Sequence, residues 1–280
     1  MAPIETPKRI PNKPAPIFIF MSKPSISVVI VTLNAASQLR ACLESAHFAD
    51  EILLVDSGST DETLALGKEL GARIIQKAWL GFGPQKQFAV TQAAHDWVLC
   101  LDADERVSVE LQASIEAALQ APQHAAYRFA RCNRFLGRYL RHGEGYPDWS
   151  LRLFDRRRAH WSEDTVHEKV LLDDGASPER NSIGVLSGDL VHDSAETLDA
   201  YLYKQNRYTT LAAEAIFKQG GWGTSTQVWL SPLIRFIKFY ILRRGFLDGL
   251  PGFIHILIGC FNSFSKYAKL LEQQNKEMHL

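Results

Sequence analysis

Two carboxylates one residue apart, Asp102 and Asp104, directly follow the apolar run at 97–101. Such a run is typical of a buried strand in a parallel sheet. Open α/β sheets bind ligands in the crevice beyond the carboxyl ends of their strands, and Mg²⁺ is commonly held by one or two carboxylates together with substrate phosphates. The spacing therefore favours a site for a metal ion and a diphosphate, with an Asp-x-Asp pair in a solvated loop as the alternative.

Strands and helices are predicted to alternate around this motif. Strand patterns occupy 26–32, 51–55, 72–76 and 97–101, and helical patterns occupy 37–46, 61–70 and 84–95. This alternation is typical of βαβ units and a parallel sheet. Ser59 and Glu62 have the spacing of a capping box at the start of the second helix.

Polar residues follow three of these strands, at what should be one edge of the sheet. They are Thr32, Asn34, Asp56, Asp61, Asp102 and Asp104. An ionised Asp56 only accepts hydrogen bonds, so it could bind a ribose hydroxyl or the N–H group of a base. Asp61 could also contact a ligand, or it could stabilise the start of a helix through the helix dipole.

A glycine-containing segment at 80–86 precedes the third helix and ends at Lys86. Glycine lets a backbone approach a ligand closely, and Lys86 could reach a phosphate as a point charge. A solvated turn is the alternative interpretation of this segment.

Together these motifs resemble the family 2 glycosyltransferases, in that family's order and approximate spacing. The resemblance rests on segments 27–34, 55–63 and 101–105. Four later segments are similar to a narrower branch, which includes the bacterial β-1,4-glucosyltransferases of lipopolysaccharide inner-core assembly. Those segments are 147–154, 166–168, 244–249 and 266–270.

The resemblance implies a glycosyltransferase A-type, Rossmann-like fold, with a mostly parallel sheet flanked by helices in residues 25–195. It implies inverting transfer of a hexose, glucose from UDP-glucose, to a lipid-linked saccharide, a heptose of the lipopolysaccharide inner core. A nucleotide sugar and that acceptor are the implied partners, and Mn²⁺ or Mg²⁺ is the implied cofactor. A different cell-envelope glycan is the alternative acceptor.

The same resemblance implies which residues hold the donor and the metal. The nucleotide sugar would contact Thr32, Asn34, Asp56, Asp102 and Ala103, with Asp61 and Lys86 as further candidate contacts from their positions in the sequence alone. Asp104 would be the direct metal ligand, while Asp102 would bind the metal, its water or the ribose. His192 would be a third metal ligand, with a structural role as the alternative.

Inverting transfer by a single displacement needs a general base beside the acceptor hydroxyl. Asp164 and Glu168 are the favoured candidates, since many members of the family place an acidic base at a similar turn. Asp148 and Glu163 are further candidates. His167 could orient a carboxylate, contact phosphate or serve the structure alone.

Composition restricts the remaining classes of function. The 280 residues are 46% hydrophobic, enough for one sizeable core. A net charge of zero gives no global field for nucleic acid, so no nucleic-acid partner is expected. The four cysteines include no Cys-x-x-Cys pair, which disfavours zinc, and Cys42 and Cys100 are expected to be buried thiols.

The two ends of the chain differ in character. Residues 1–24 carry six prolines and are expected to be a disordered leader, without a signal peptide. Residues 196–280 are expected to be a helical extension, whose segment 229–270 has six basic residues against Asp248 alone. This pattern favours helices lying in a membrane interface, at the inner face of the cytoplasmic membrane, with an ordinary helical cap as the alternative. No apolar run reaches the ~20 residues of a spanning helix.

Nine arginines between 128 and 158 could recognise a phosphorylated acceptor through bidentate contacts, or could form a solvated face.

Two rival functions differ from a glycosyltransferase in the sequence features that they require. A nucleotidyl transferase would usually carry a glycine-rich loop after the first strand, where this chain has Leu33-Asn34-Ala35. A non-catalytic scaffold would have lost carboxylates that are all present here.

Overall fold

The computed structural model describes residues 24–164, 168–173, 183–194 and 197–278. The expected leader, apart from its last residue Pro24, and His167 lie outside the described residues. Eleven strands are present in the described ranges. They are β1 Ile26–Thr32, β2 Glu51–Asp56, β3 Arg73–Gln76, β4 Trp97–Asp102, β5 Glu105–Val107, β6 Ala126–Phe135, β7 Arg138–Tyr139, β8 Asp148–Asp155, β9 Ala159–Trp161, β10 Val170–Leu172 and β11 Ile183–His192.

Seven α-helices accompany these strands in the same ranges. They are α1 Ala36–Ser45, α2 Thr63–Glu69, α3 Phe82–Gln92, α4 Val109–Gln120, α5 Leu198–Lys218, α6 Ser225–Phe236 and α7 Gly249–Met278. A π-helical segment, Ile237–Leu242, and a 3₁₀ turn, Gly245–Asp248, join α6 to α7. The strands and helices predicted between 26 and 101 are confirmed to within a few residues at each end.

The main sheet has the strand order β3-β2-β1-β4-β8-β6-β11-β5, with β7 paired to β6. Strands β1 to β4 run parallel to one another, and β11 runs parallel to β6. Strand β8 is antiparallel to both β4 and β6. The ends of β1, β2 and β4 therefore face the same edge of the sheet, as predicted.

Successive side chains of β1 point to opposite faces of the sheet, and each face has its own hydrophobic cluster. Val28 and Ile30 pack in one cluster with Leu39 of α1, whereas Val29 packs in the other with Ala89 of α3. All four cysteines are buried free thiols, which confirms the expectation for Cys42 and Cys100.

The capping box expected from Ser59 and Glu62 is wrong. Helix α2 has Glu62 at its N-cap position, with no side-chain capping bond. The Ser59 hydroxyl instead donates to Asp56 Oδ1 at 2.5 Å. A buried carboxylate competes better for this hydroxyl than an exposed helix terminus does, because the buried group cannot be satisfied by water.

The expectation that no segment reaches spanning length is also wrong. The helical stretch Gly245–Glu277 has 33 residues and contains an 18-residue window with a mean hydropathy of 1.2, so it is long and apolar enough to cross a membrane by length and composition. Pro251 does not break this segment. It lies in the first turn of α7, where a missing N–H group costs no helical hydrogen bond.

Asp248, at the end of the 3₁₀ turn, joins the C-terminal helices to the sheet domain. Its side chain is almost fully buried. Oδ2 accepts hydrogen bonds from the backbone N–H groups of Arg141 and His142 at 2.9 and 2.8 Å, and Oδ1 lies 3.1 Å from His142 Nδ1. One carboxylate thus accepts hydrogen bonds from two successive backbone N–H groups of the loop that leads into β8.

We expect Asp248→Ala to lower the free energy of unfolding by about 1–3 kcal/mol, because removal of the carboxylate leaves the N–H groups of Arg141 and His142 without their acceptor. Urea denaturation measures this loss. Glu272→Ala on α7 is the matched control and should change stability little, since its pair with Lys276 is exposed. Equal losses in the two variants would contradict this role for Asp248.

Candidate active site

Asp56, at the end of β2, organises the loop beyond the sheet. Its side chain is fully buried and accepts from Thr32 and Ser59 hydroxyls and from the N–H groups of Gly58 and Ser59. Burial acts to raise the pKa of Asp56, but these hydrogen bonds outweigh it and lower that pKa. The four donors match the roughly four lone-pair sites of a carboxylate, so a nucleotide contact by Asp56 would replace one of them.

Asn34 and Asp61 connect the loops after β1 and β2. Asn34 has a left-handed backbone, with φ of 50°, and its Oδ1 accepts from Thr60 N at 2.8 Å. Asp61 accepts from Thr63 N and from Ala36 N, at 3.0 and 3.2 Å. Hydrogen bonds, first from the Thr63 hydroxyl, lower the pKa of Asp61. The two loops predicted to hold the nucleotide therefore form one connected unit.

Asp102, at the end of β4, lies among buried cations. Lys86 Nζ is 3.1 Å from its Oδ1, and Arg152 Nη2 is 3.0 Å from its Oδ2. Burial acts to raise the pKa of Asp102, but the charges of Arg152 and Lys86 outweigh it and hold that pKa well below its usual range. Glu105 accepts from Asp102 N at 2.9 Å and is itself fully buried.

Lys86 is 4% exposed, so the solvated turn considered for it is wrong. Besides Asp102, its Nζ contacts Glu168 Oε1 at 2.9 Å. Gly83 makes this contact possible, because a Cβ there would come within 2.2 Å of the Ser162 carbonyl oxygen. Gly83 therefore allows close packing of the segment that contains Ser162 and Asp164, whereas a ligand was expected at this position.

The two favoured base candidates differ in their surroundings. Glu168 is brought to the Asp102 cluster through Lys86, and its side chain is 17% exposed. Asp164 has an exposed side chain, and its carbonyl oxygen accepts from Gly83 N at 3.2 Å. Glu163 is exposed as well. Asp148 is held by Arg131 at 2.7 and 2.9 Å, further along the sheet.

Asp104 and His192 come together across the turn after β4 and the end of β11. His192 Nε2 lies 3.1 Å from Asp104 Oδ2, and its Nδ1 lies 2.8 Å from Asn133 Oδ1. Asn133 Nδ2 donates to Asp148 at 3.2 Å, which sets the orientation of the amide. Nδ1 of His192 must therefore carry a proton, and Nε2 is directed at the carboxylate.

This arrangement suits a metal ligand, because ligating histidines usually donate their second N–H group to an oxygen. Asn133 was not anticipated, since an asparagine inside a strand carries no sequence signal for this role. The described residues contain no group of three or more His, Cys, Asp or Glu side chains suited to a metal. Asp102 is directed towards Lys86 and Arg152, and does not join Asp104 and His192.

Most of the clustered arginines have internal partners. Arg152 binds Asp102, Arg141 binds Asp189 and Arg157 binds Asp155. Arg156 donates to carbonyl groups near the end of α3, and Arg138 donates to Leu247 O. The solvated-face interpretation therefore fails for Arg152, which is buried, whereas Arg138, Arg141 and Arg157 are exposed in spite of these contacts.

Comparison with known proteins places this site in a family. The family model described as glycosyl transferase family 2 matches residues 27–171. An uncharacterized glycosyltransferase of Rickettsia typhi is 30% identical over 262 residues, which cover 91% of this chain and 89% of that protein. The lipopolysaccharide core biosynthesis glycosyltransferase LpsC of Rhizobium meliloti is 30% identical over 255 residues, covering 89% and 92%.

Among solved structures, the glucosyl-3-phosphoglycerate synthase of Mycobacterium tuberculosis, in complex with Mn²⁺, UDP and glucosyl-3-phosphoglycerate, has a TM-score of 0.47 at 16% identity. The match covers 75% of this chain and 87% of that chain.

The chain belongs to glycosyl transferase family 2, as the motifs predicted. Its mixed sheet flanked by helices, with a long C-terminal helix, is of the glycosyltransferase A-type class expected from the sequence.

Proposed function

We propose that this enzyme transfers glucose from UDP-glucose, with inversion, to a heptose of a lipid-linked lipopolysaccharide inner-core saccharide. The convergence of the β1 and β2 loops, Asp102 and the Asp104–His192 pair at one edge of the sheet carries this proposal. The similarity to LpsC over nearly the whole chain supports the class of acceptor. Membership of family 2 disfavours a nucleotidyl transferase.

The donor nucleotide is proposed to lie against the loops after β1 and β2. Thr32, Asn34, Asp56 and Asp61 belong to this unit, while Asp102 and Ala103 would border the ribose and diphosphate. The hydrogen bonds within the loops hold their backbone groups in place before the ligand binds. Lys86, buried beside Asp102, would supply positive charge near the diphosphate.

Asp104 and His192 would hold Mn²⁺ or Mg²⁺. Two protein ligands suffice for this role, because such ions usually complete their coordination with waters and substrate phosphates. A bound divalent cation neutralises negative charge on the leaving diphosphate. Asn133 positions the His192 ring for this role, and Asp148 in turn orients Asn133.

Glu168 is proposed as the general base. Its carboxylate lies in the partly enclosed cluster at the end of β4, whereas Asp164 faces solvent. An ionised carboxylate can accept the proton of the acceptor hydroxyl while that oxygen attacks the anomeric carbon of the sugar. Lys86 holds Glu168 in position through their 2.9 Å contact.

The C-terminal helices are proposed to rest on the inner face of the cytoplasmic membrane. No residue of α6 or of the π-helical segment is buried. Large apolar side chains are exposed along this region: Trp229 77%, Leu233 54%, Ile234 57%, Leu242 72%, Leu250 68% and Phe261 64%. Apolar bulk of this extent is typical of a surface that contacts another molecule or a membrane.

Two of the six basic residues in segment 229–270 are bound within the protein and are therefore less available to lipid headgroups. Arg235 is bound to Glu144 and Ser263, and Lys269 donates to Asn206, Thr209 and Thr210. Burial lowers the pKa of both. The remaining basic residues of the segment are Lys238, Arg243, Arg244 and Lys266.

The proposed donor and metal are tested by measuring UDP release from a panel of UDP-sugars with Mn²⁺. We expect turnover with UDP-glucose, and Asp104→Asn should reduce it by about 10²-fold or more, the scale of losing one strong electrostatic stabiliser. Asp96→Asn, before the opposite end of β4, is the control. Near-normal turnover of Asp104→Asn at saturating Mn²⁺ would reject the metal assignment, and preference for another sugar would reject the donor.

Glu168→Gln should lower kcat by about 10²–10⁴-fold, since it removes the proton acceptor. The Kd for UDP should change little, because the base acts on the acceptor. Asp164→Asn is the matched comparison and should retain turnover. If Asp164→Asn shows the larger loss, the roles are reversed; if neither variant loses turnover, Asp148 becomes the candidate.

We expect the protein to co-sediment with vesicles containing anionic phospholipid. Replacing Arg243, Arg244 and Lys266 by Gln should weaken this binding at low salt, by about 1 kcal/mol for each well-placed charge. Lys269→Gln should have a smaller effect, because that ammonium is occupied by α5. If wild-type protein stays in the supernatant at low salt, the helices serve only as a structural cap.

A further inference from the structure

A cavity of about 550 Å³ lies between the end of β6 with its hairpin and helices α5 and α7. His192, one of the two proposed metal ligands, forms part of its wall. The nucleotide loops follow β1 and β2, whereas this cavity adjoins β6 and β11, on the other side of β4 in the sheet order. The cavity therefore lies beside the reaction centre, away from the proposed nucleotide site.

The C-terminal extension supplies one side of the cavity. Leu198, Tyr201, Lys204 and Gln205 line it from α5, and their spacing of three, three and one residues keeps them on one helix face. His255 lines it from α7. Neither the sheet domain nor the extension forms this cavity alone.

Aromatic rings form one part of its lining. The Phe135 ring lies 5.3 Å from the Tyr201 ring and 5.1 Å from the His255 ring, and the Tyr201 hydroxyl lies 3.2 Å from His255 Nε2. Burial, followed by the charge of Arg235, lowers the pKa of His255 to about 4, so this imidazole is neutral near pH 7. These rings therefore form an apolar face in a cavity whose other lining residues are mainly polar.

The charged residues of the cavity are three cations and one carboxylate. Arg131 is occupied by Asp148 and Glu105. Arg134 is 3.8 Å from Asp193, which already binds Arg106, and its side chain is 49% exposed. Lys204 is exposed and makes no ion pair within the described ranges. Arg134 and Lys204 therefore remain available to an anion.

We infer that this cavity binds the acceptor saccharide, and that Arg134 and Lys204 select an acceptor carrying a phosphate or carboxylate group. The inference rests on the proposed function and deepens it. A sugar ring would pack against the aromatic surface, with its anionic substituent between the two cations. Arginine forks and lysine ammonium groups both bind such oxyanions. The attacked hydroxyl would then face the wall that contains His192.

Deacylated inner-core oligosaccharide is the probe, used in native, dephosphorylated and carboxyl-reduced forms. Each form is titrated calorimetrically into the full-length protein with UDP and Mn²⁺ present. We expect the native form to bind, and we expect loss of the recognised group to weaken binding about tenfold, the scale of one charge-assisted hydrogen bond. The two modified forms show whether that group is the phosphate or the carboxylate.

Arg134→Gln and Lys204→Gln should each weaken binding of the native probe about tenfold, and should change little for the form that lacks the recognised group. Arg207→Gln is the matched control, because Arg207 is an exposed cation of α5 that does not line the cavity. Equal losses for all three probe forms, or an equal loss in Arg207→Gln, would overturn the inference.

Transfer from UDP-glucose is measured in parallel, so that the two proposals can fail separately. Charge-dependent binding without transfer would support the cavity assignment and contradict the proposed donor. Transfer that does not depend on Arg134, Lys204 or the anionic groups would support the proposed reaction and overturn the inference. Absence of any probe binding to wild-type protein would also overturn it.

Discussion

The site depends on a buried group of charges at the end of β4. Asp102 and Glu105 are compensated by Lys86, Arg131 and Arg152. A charge removed from water is costly unless a partner and hydrogen bonds replace the solvent. These side chains come from α3, β4, β5, β6 and β8, so those elements must keep their relative positions for the charges to stay paired. Pairing of these buried charges thus depends on residues that are far apart in the sequence.

The same charges divide the two acidic residues of the Asp-x-Asp motif between different surroundings. Asp102 is directed towards the cations, whereas Asp104 lies across the turn beside His192. This division agrees with a proposed role for Asp102 at the ribose and diphosphate and for Asp104 at the metal. The turn at 103–104 thus separates the two carboxylates into different surroundings.

The C-terminal extension contributes to the same edge of the sheet. Asp248 and Arg235 attach it to the loop before β8 through Arg141, His142 and Glu144. Its helices α6 and α7 also carry a surface of exposed apolar side chains. A protein docked on a membrane by this face would keep the cavity between α5, α7 and β6 close to a lipid-linked acceptor, with the nucleotide loops further along the sheet.

Local pattern alone determined much of this protein. Apolar periodicity located the strands and helices from 26 to 101, and the polar residues at strand ends indicated the edge of the site, because parallel strands point their carboxyl ends one way. Those signals depend on neighbours in the chain. The α/β class could be predicted from them, whereas the family rested on the resemblance of segments 27–34, 55–63 and 101–105 to family 2 glycosyltransferases.

Which polar and charged side chains contact one another was decided only by the tertiary structure. Nothing in the sequence around Asn133 links it to His192, and nothing around Lys86 links it to Glu168, since these contacts join segments 59 and 82 residues apart. The capping box failed because Asp56 competed for Ser59, and the spanning length was missed because Pro251 lies in the first turn of α7, where it does not interrupt the helix. Burial and partner choice are set by packing between distant segments, and a linear pattern carries little information about either.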